Sequence, residues 1–430
     1  MKIHIDLDCF FVSAERTVDP SLIGKPVGIG GRGDIYIFAP DSGHQSVHLE
    51  NSGAFVGTFF QAYDPRQDDM AKFTDPDGRI RGILTTASYE ARKYGVNTGT
   101  TIREALQKCP GLIVKAPNMK LYQHLSRELH AFLQSRIPVI EQGSIDEFYG
   151  DLEGWVEDEE VPCFIDMLRH EIKRRLGLPV SIGAARTRYI AKLATGCAKP
   201  FGCKTVTPEE VAAFIEAIPV GEFPGIGRSM KRRLAAYRIT TLGELVRAKP
   251  LVESWGSYAK ELYRRVTATD RAEIVPDHVR KSIGISRTFD PVLDRAEIRR
   301  RVIILARHLA YAVMRIGVIP TTFSVGIRYE MSPGSHANAT ETRLFSESWF
   351  KELVLTLYYR ADTRRNDRIV RLSIHCSHFT HVSRRELSLL HLEEDRHARR
   401  LGEQLHAVRE KHGLDMLKWG SELVNRGKRQ

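Results

Sequence analysis

Four carboxylates stand where metal-assisted chemistry could use them. Asp6 and Asp8 close the run MKIHIDLDCFFV at residues 1–12. Its near-continuous apolar residues predict a buried strand that runs into a turn. Alternate residues of a strand face one side, so Asp6 and Asp8 share a face. Asp146 and Glu147 lie in GSIDE, Gly143–Glu147, between the β-prone segments Pro138–Ile140 and Phe148–Leu152. That pattern predicts a hairpin. Phosphoryl transfer with two metals needs several anionic oxygens in one small volume, to activate an attacking oxygen and steady a leaving one. Carboxylates at the ends of two neighbouring strands supply that geometry, and hard oxygen donors select Mg²⁺ or Mn²⁺. Taken alone, Asp-x-Asp at a strand end is more often an ordinary solvated or helix-capping pair. Asp-Glu in a turn says less still.

The surrounding elements have to bring these groups together. Lys25–Ile29 is a second strand candidate, and residues 87–94 and 100–108 read as helices. Thr100 or Thr101 caps the second helix, with Glu104 in its first turn. Tyr122–Ser135 is a helix with Leu125, Leu129 and Phe132 on its apolar face; helix 163–176 and strand Pro179–Ala185 follow. This mixture predicts an α+β domain. Residues 207–275 differ: they are helical and rich in Lys and Arg, with a turn at Pro224–Gly227. A basic, strand-like linker, His278–Lys281, leads to Ile298, Val302, Leu305, Leu309 and Val313 at helical spacing. Phe323, Val325, Ile327 and Tyr329 share one strand face. Val370, Leu372, Ile374 and Cys376 share another, with Arg371, Ser373 and His375 opposite. The result is a second α+β module with one polar sheet face. Residues 393–430 read as a charged helical tail.

A chain of 430 residues predicts two to four domains. No apolar run is long enough to span a bilayer; the most apolar helix candidate, Val302–Ile319, is broken by Arg307, His308 and Arg315. Asp6 and Asp8 fall where a signal peptide would need its apolar core, so a cytoplasmic location is expected. The six cysteines are scattered and form no C-x-x-C pair, which predicts free thiols and no zinc ribbon. Lys and Arg outnumber Asp and Glu by 64 to 53, for a net charge of +11. That excess favours a polyanionic partner, although a merely basic enzyme accounts for it equally well.

The whole constellation narrows the choice. IDLDCFF at 5–11, TTASYEARKYGV at 85–96, SIDEFYGDL at 144–152, AKPFG at 198–202, FPGIG at 223–227 and VRKSIGISRTF at 279–289 occur in that order. Together they resemble the successive signatures of Y-family DNA polymerases of the DinB/UmuC type. The resemblance implies an α+β, multi-domain right-hand polymerase with a C-terminal little-finger domain. The palm would take residues 1–10 and 118–206, and the fingers 11–117 with an insertion at about 32–81. A thumb with a helix–hairpin–helix would take 207–275, a linker 276–282, the little finger 283–392 and a helical tail 393–430. The implied activity is template-directed, low-fidelity addition of dNTPs to a primer 3′ end, that is, translesion synthesis in damage tolerance.

By the same resemblance, Asp6, Asp146 and Glu147 are the catalytic carboxylates. With the Leu7 carbonyl they would hold two Mg²⁺ ions, for which Mn²⁺ could substitute. Asp8 matches a common family residue that is not a ligand. Phe11 is the steric gate that excludes a ribose 2′-hydroxyl, beside Phe10, which packs in the core. Tyr89, Arg92 and Lys199 would hold the triphosphate, with Thr86 as a further phosphate contact and Ile83 over the nascent base pair. Gly225 and Gly227 would offer backbone N–H groups to a DNA phosphate, and Arg228, Lys231, Arg232 and Arg233 add charge. Arg280, Lys281 and Arg371 would grip DNA from the little finger. The expected partners are primer–template DNA and dNTP, with no membrane, and the expected state is a monomer associated with the nucleoid. Glu386–Leu390 is similar to the sliding-clamp peptide of related polymerases, with Glu for Gln and Leu for Phe.

The match strains at residues 32–81, where the family usually has a short loop. Phe38, Phe55, Phe59, Phe60 and Tyr63 make that segment too apolar for a disordered tail. His44 and His48 stand four apart without a third ligand. Gly196 replaces a residue that is often acidic in relatives. Two other functions compete. A catalytically dead DNA-binding paralogue would have lost the carboxylates. A phosphatase of the haloacid-dehalogenase kind would use Asp-x-Asp as nucleophile and acid on a Rossmann-like sheet.

Overall fold

Isoleucine and leucine alternate through the first strand, and that alternation decides its place. β1 (Lys2–Leu7) buries Ile3, Ile5 and Leu7 on one face, and His4 is buried on the other. A strand covered on both faces needs a nearly continuous apolar run. Each such aliphatic side chain contributes roughly 1.5–3 kcal/mol of burial. In the computed structural model of the chain, residues 1–33, 37–39, 46–47, 60–61, 68–75, 77–276, 279–380 and 391–423 are described. Cys9 sits in the left-handed region at φ 45° and turns the chain from β1 into α1 (Phe10–Val18). The Ser13 hydroxyl braces that turn by donating to the Asp8 carbonyl at 2.6 Å.

The chain continues through β2 (Val27–Gly31), the two-residue strands β3 (Ser46–Val47) and β4 (Phe60–Gln61), β5 (Ile83–Ala87), α2 (Tyr89–Arg92), α3 (Ile102–Lys108) and β6 (Ile113–Lys115). Thr101 caps α3 by accepting from the Glu104 N–H, as the sequence predicts. There follow α4 (Met119–Gln134), β7 (Val139–Gln142), β8 (Glu147–Asp151), α5 (Val161–Leu176), β9 (Val180–Ala185), α6 (Arg188–Ala198) and β10 (Cys203–Val206). The main sheet has the order β10-β9-β1-β8-β7, and β1 is antiparallel to both of its neighbours. β7 and β8 form the expected hairpin. An antiparallel centre is not the doubly wound parallel sheet that the phosphatase reading requires. A smaller sheet, β5-β2-β6, carries α2 at the end of β5. The basic helical region is α7 (Val211–Ile215), α8 (Arg228–Ala236), α9 (Leu242–Arg247), α10 (Lys249–Glu253) and α11 (Ser257–Val266), around Phe223, Leu234, Leu245 and Leu262.

The chain divides into two compact units, Met1–Arg32 with Pro65–His278, and Gly33–Asp64 with Val279–Gln430. The second contains β11 (Ser282–Val292), α12 (Arg295–Arg315), β12 (Ile319–Tyr329), β13 (Ser335–Thr340), α13 (Glu347–Ala361), β14 (Ile369–Thr380) and α14 (Leu392–His412). Its sheet order is β11-β14-β12-β13, with α12 and α13 over the apolar face. Two details differ from expectation. The basic segment Val279–Lys281 is not strand; β11 begins at Ser282. A register shift between Arg328 and Tyr329 also moves Ile369 into the core in place of Val370, because a bulge reverses the alternation beyond it.

The insertion differs as well. Expected wholly in the fingers, it is divided between the units. Ile37 is buried in the core of the C-terminal unit, and Phe38 packs against that core. Phe38 stands edge-on to Phe289, and the Arg301 guanidinium lies over both rings. Arg300 donates to the Phe38 carbonyl at 2.7 Å. The later part of the insertion returns to the N-terminal unit. There Phe73 is buried against Gly30, and Asp75 pairs with Arg32 and Arg81. His44, His48, Phe55, Phe59 and Tyr63 lie outside the described residues, as does the side chain of Phe60.

Candidate active site

The backbone brings two of the three expected carboxylates into direct opposition. Asp6 of β1 pairs with Glu147 of β8, and the next pair is held by the Leu7 N–H donating to the Asp146 carbonyl at 3.0 Å. Asp6 and Glu147 are therefore a non-hydrogen-bonded pair, whose Cα atoms stand about 4.5 Å apart in such ladders. Asp146 follows directly in the turn. Ser144 sets that turn: its hydroxyl donates to the Asp146 carboxylate at 2.5 Å and accepts from the Glu147 N–H at 3.1 Å.

Two of the side chains are each engaged by a lysine. Lys199 Nζ donates to Asp6 Oδ1 at 2.5 Å, and Lys192 Nζ to Glu147 Oε2 at 2.6 Å. Among the described residues, no three His, Cys, Asp or Glu side chains are gathered as they stand into a metal cage. The donor set nevertheless fits a hard divalent cation in kind and in backbone placement. Its electrostatics point the same way. Burial pushes Asp6 up to about 6, and the charges of Asp146 and Glu147 add to that while Lys199 opposes it. Burial raises Asp146 too, against its Ser144 hydrogen bond. Glu147 is the exception. Burial would raise it, but it is pulled down to about 2. His4 Nε2 is 3.9 Å from Glu147, beyond hydrogen-bond reach, so the Lys192 ammonium is the partner that holds Glu147 low. His4 itself is pushed down to about 4 by burial and is neutral, with Nδ1 against Thr195 Oγ1 at 3.0 Å.

Lys192 and His4 are parts of the site that sequence reasoning missed. The signal was available for His4, because alternation puts it on the Asp6 face of β1.

The other expected residues lie on α1, β5 and α2. Phe10 is buried; Phe11 is half-buried and stacks on Tyr122, with centroids 4.4 Å apart and planes 12° apart. Stacking on a second ring restrains the Phe11 ring by about 0.5–1.5 kcal/mol. Tyr89 and Arg92 share one face of α2, with the guanidinium over the phenol ring at 4.9 Å. Arg92 Nε donates to the Ala87 carbonyl, which leaves the side chain's outer end exposed. Tyr89 donates to Asp8 at 3.1 Å. Thr86 is half-buried on β5, and Ile83 is exposed on the same strand.

Farther along the N-terminal unit, Gly225 has φ +101°, a conformation that only glycine adopts without strain, and Gly227 starts α8. Tyr258 holds that turn by donating to the Gly225 carbonyl at 2.6 Å. Arg228 and Lys231 are exposed on the first turns of α8. In the C-terminal unit, Arg371 lies on the polar sheet face beside Ser286, opposite Thr288 and Arg328. Arg280 and Lys281 precede that sheet. The clamp-like segment Glu386–Leu390 lies outside the described residues. No helix among the described residues is long and apolar enough to cross a membrane.

The chain has relatives in both sequence and fold. The chain matches the impB/mucB/samB family over residues 5–196, the C-terminal domain of that family over 280–389 and the IMS family HHH motif over 208–237. A protein named DNA polymerase IV from Pasteurella multocida (strain Pm70) is 27% identical over 391 residues, covering 86% of this chain and 94% of its own. Another of that name, from Glaesserella parasuis serovar 5 (strain SH0165), is 30% identical over 295 residues, covering 68% of this chain and 70% of its own. Among solved structures, the Y-family DNA polymerase chimera Dbh-Dpo4(243-245)-Dbh shares the fold with a TM-score of 0.68 at 23% identity, over 88% of this chain and 98% of that one. The chain belongs to the impB/mucB/samB family, the Y-family DNA polymerases of the DinB/UmuC type.

Proposed function

We propose that this DNA-directed DNA polymerase extends a primer 3′ end opposite damaged as well as intact template. Asp6, Asp146, Glu147 and the Leu7 carbonyl would hold two divalent cations, Mg²⁺ by the hardness of the donors, with Mn²⁺ able to substitute. When bound, such ions would supply activation of the attacking oxygen and neutralisation of the leaving pyrophosphate. The chain's own residues do the rest. Arg92 and Lys199 bind and orient the triphosphate through their charges, with Thr86 and the Tyr89 ring beside them; the single hydroxyl hydrogen of Tyr89 stays on Asp8. Lys199 exchanges Asp6 for phosphate oxygens, which frees that carboxylate. Phe10 and Phe11 floor the sugar, and the Phe11 ring leaves no room for a 2′-hydroxyl. Gly225, Gly227, Arg228 and Lys231 grip backbone phosphates, as do Arg280, Lys281 and Arg371, without reading sequence.

The observation that carries this reading is the direct opposition of Asp6 and Glu147 across β1 and β8, with Asp146 adjoining. The experiment is Mg²⁺-dependent primer extension on intact and lesion-bearing templates. Incorporation opposite both supports the reading; DNA binding without incorporation would favour the inactive-paralogue alternative. Low fidelity, a role in damage tolerance in the cytoplasm, clamp binding through Glu386–Leu390 and a monomeric state belong to this proposal.

A further inference from the structure

Asp8 has no place among the ligands, yet it is one of the most enclosed carboxylates in the protein, at 2% exposure. Three elements converge on it. The Tyr89 hydroxyl, from α2, donates to Oδ1 at 3.1 Å. The Ser181 hydroxyl of β9 lies 3.1 Å from Oδ1 and 3.0 Å from Oδ2. The Phe201 N–H donates to Oδ2 at 2.7 Å. Phe201 sits in the left-handed region at φ 46°, in the turn that begins at Lys199. That turn is tight, because a Cβ on Gly202 would fall 2.1 Å from the Ala198 carbonyl oxygen. Arg169 clamps it from the other side, with its guanidinium over the Phe201 ring at 4.4 Å. Burial and the Asp8 charge keep the Tyr89 phenol protonated, so its hydroxyl is the donor.

We propose that Asp8 is a positioning residue for nucleotide binding: one buried carboxylate ties Tyr89 and the Lys199–Phe201 turn to a single point beside Asp6, so that two groups meant for the triphosphate stand in fixed relation. The inference rests on the reading of Tyr89 and Lys199 as triphosphate contacts. Its physical basis is that a carboxylate is an acceptor at both oxygens. Asparagine, of the same shape, has only one acceptor oxygen. The Phe201 N–H is fixed by the backbone and takes that oxygen. The amide NH₂ then faces Tyr89, so the charge-assisted bond from the Tyr89 hydroxyl to residue 8 is replaced by a weaker, neutral one of reversed direction.

The test is single-nucleotide incorporation by the full-length protein at varied dNTP, with Asp8→Asn, Tyr89→Phe and the double variant. Each single variant should raise the dNTP KM roughly ten-fold, the scale of one charge-assisted hydrogen bond. kcat should fall less and primer–template affinity should not change. The double variant should be no worse than the poorer single one, because both remove the same link. If Tyr89→Phe raises KM while Asp8→Asn leaves it unchanged, or if the two effects multiply, the proposal is overturned and the triphosphate reading stands. If neither single variant raises KM the proposal is overturned, and Lys199→Ala then separates the two failures: a raised KM there leaves the triphosphate reading standing, and an unchanged one removes it as well. Should Asp8→Asn melt early, Ser181→Ala reads the same link without altering charge. It should raise KM roughly three-fold, about half the effect of the full bond on a free-energy scale, and no rise would overturn the proposal.

Discussion

Asp6 and Glu147 face each other as cross-strand partners, and each is engaged by a different lysine of one helix and the turn that follows it. Lys192, within α6, holds Glu147; Lys199, just past its end, holds Asp6. Two acidic groups at neighbouring backbone positions thus have very different proton affinities, Asp6 at about 6 and Glu147 at about 2. The difference follows from burial at Asp6 and from the Lys192 ammonium at Glu147.

That asymmetry has a consequence for stability. An unfolded aspartate titrates near 3.9. Because Asp6 is raised in the folded state, the folded protein holds the proton more tightly. Charged Asp6 therefore costs stability above about pH 6, and Asp6 by itself contributes a gain as pH falls from about 6 toward 4, while buried neutral His4, held down at about 4, contributes a loss over the same window. Asp6→Asn removes the cost. Urea unfolding at pH 7 without divalent cations should show the variant more stable by on the order of 1–3 kcal/mol, although inactive in extension. Equal or lower stability would contradict the assignment of a strained carboxylate.

Phe11 is fixed by stacking on Tyr122. Forcing a hydroxyl into a filled space costs about 1–3 kcal/mol. Phe11→Ala should therefore improve ribonucleotide incorporation relative to dNTP on the order of 10- to 100-fold. Competition between rNTP and dNTP measures it; unchanged discrimination would remove Phe11 from the role.

On the proposed reading, the Gly225–Gly227 turn and α8 would meet DNA phosphates with Arg228 and Lys231; the Gly227 N–H already donates to the Gly225 carbonyl at 3.2 Å. Lys231→Ala should weaken primer–template binding about equally for all sequences and reduce the slope of log affinity against log salt by about 1. A titration of binding at several salt concentrations decides it. An unaltered slope would place Lys231 outside the contact.

In the C-terminal unit, Arg307 is buried at 2% exposure and is neutralised by the tail, through Glu422 at 2.9 Å and Asp415 at 2.7 Å. Glu422→Ala leaves that charge poorly compensated and should cost about 3–5 kcal/mol, read from the unfolding of this unit. Arg307→Met combined with Glu422→Ala should recover much of the loss, and no recovery would show that the pair is not coupled.

What the sequence told of the fold was what short-range periodicity encodes. The alternation of Ile3, Ile5 and Leu7, the hairpin around Ser144 and the Thr101–Glu104 cap were all readable, because neighbours within a few residues determine them. Lys192 was not. A lysine on an amphipathic helix is ordinary, and its closeness to Glu147 arises only when α6 packs on β1 and β8. The insertion was misplaced for the same reason, since Phe38 finds Arg301 and Phe289 far along the chain. Arg307 and His308 read as interruptions of an apolar helix, yet both are buried. For Arg307 the counter-charges come from the tail, and no local pattern announces them. The bulge that exchanges Val370 for Ile369 also lies below what alternation can resolve.

The central claim is that Asp6, Asp146 and Glu147 act together on a shared pair of divalent cations. The most direct measurement is Mg²⁺-dependent primer extension by Asp146→Ala and Glu147→Ala, with primer–template affinity measured on the same preparations. Extension should be abolished in both while DNA binding stays within about two-fold, or roughly 0.4 kcal/mol. Extension that persists in either variant at the parent's rate would contradict the account.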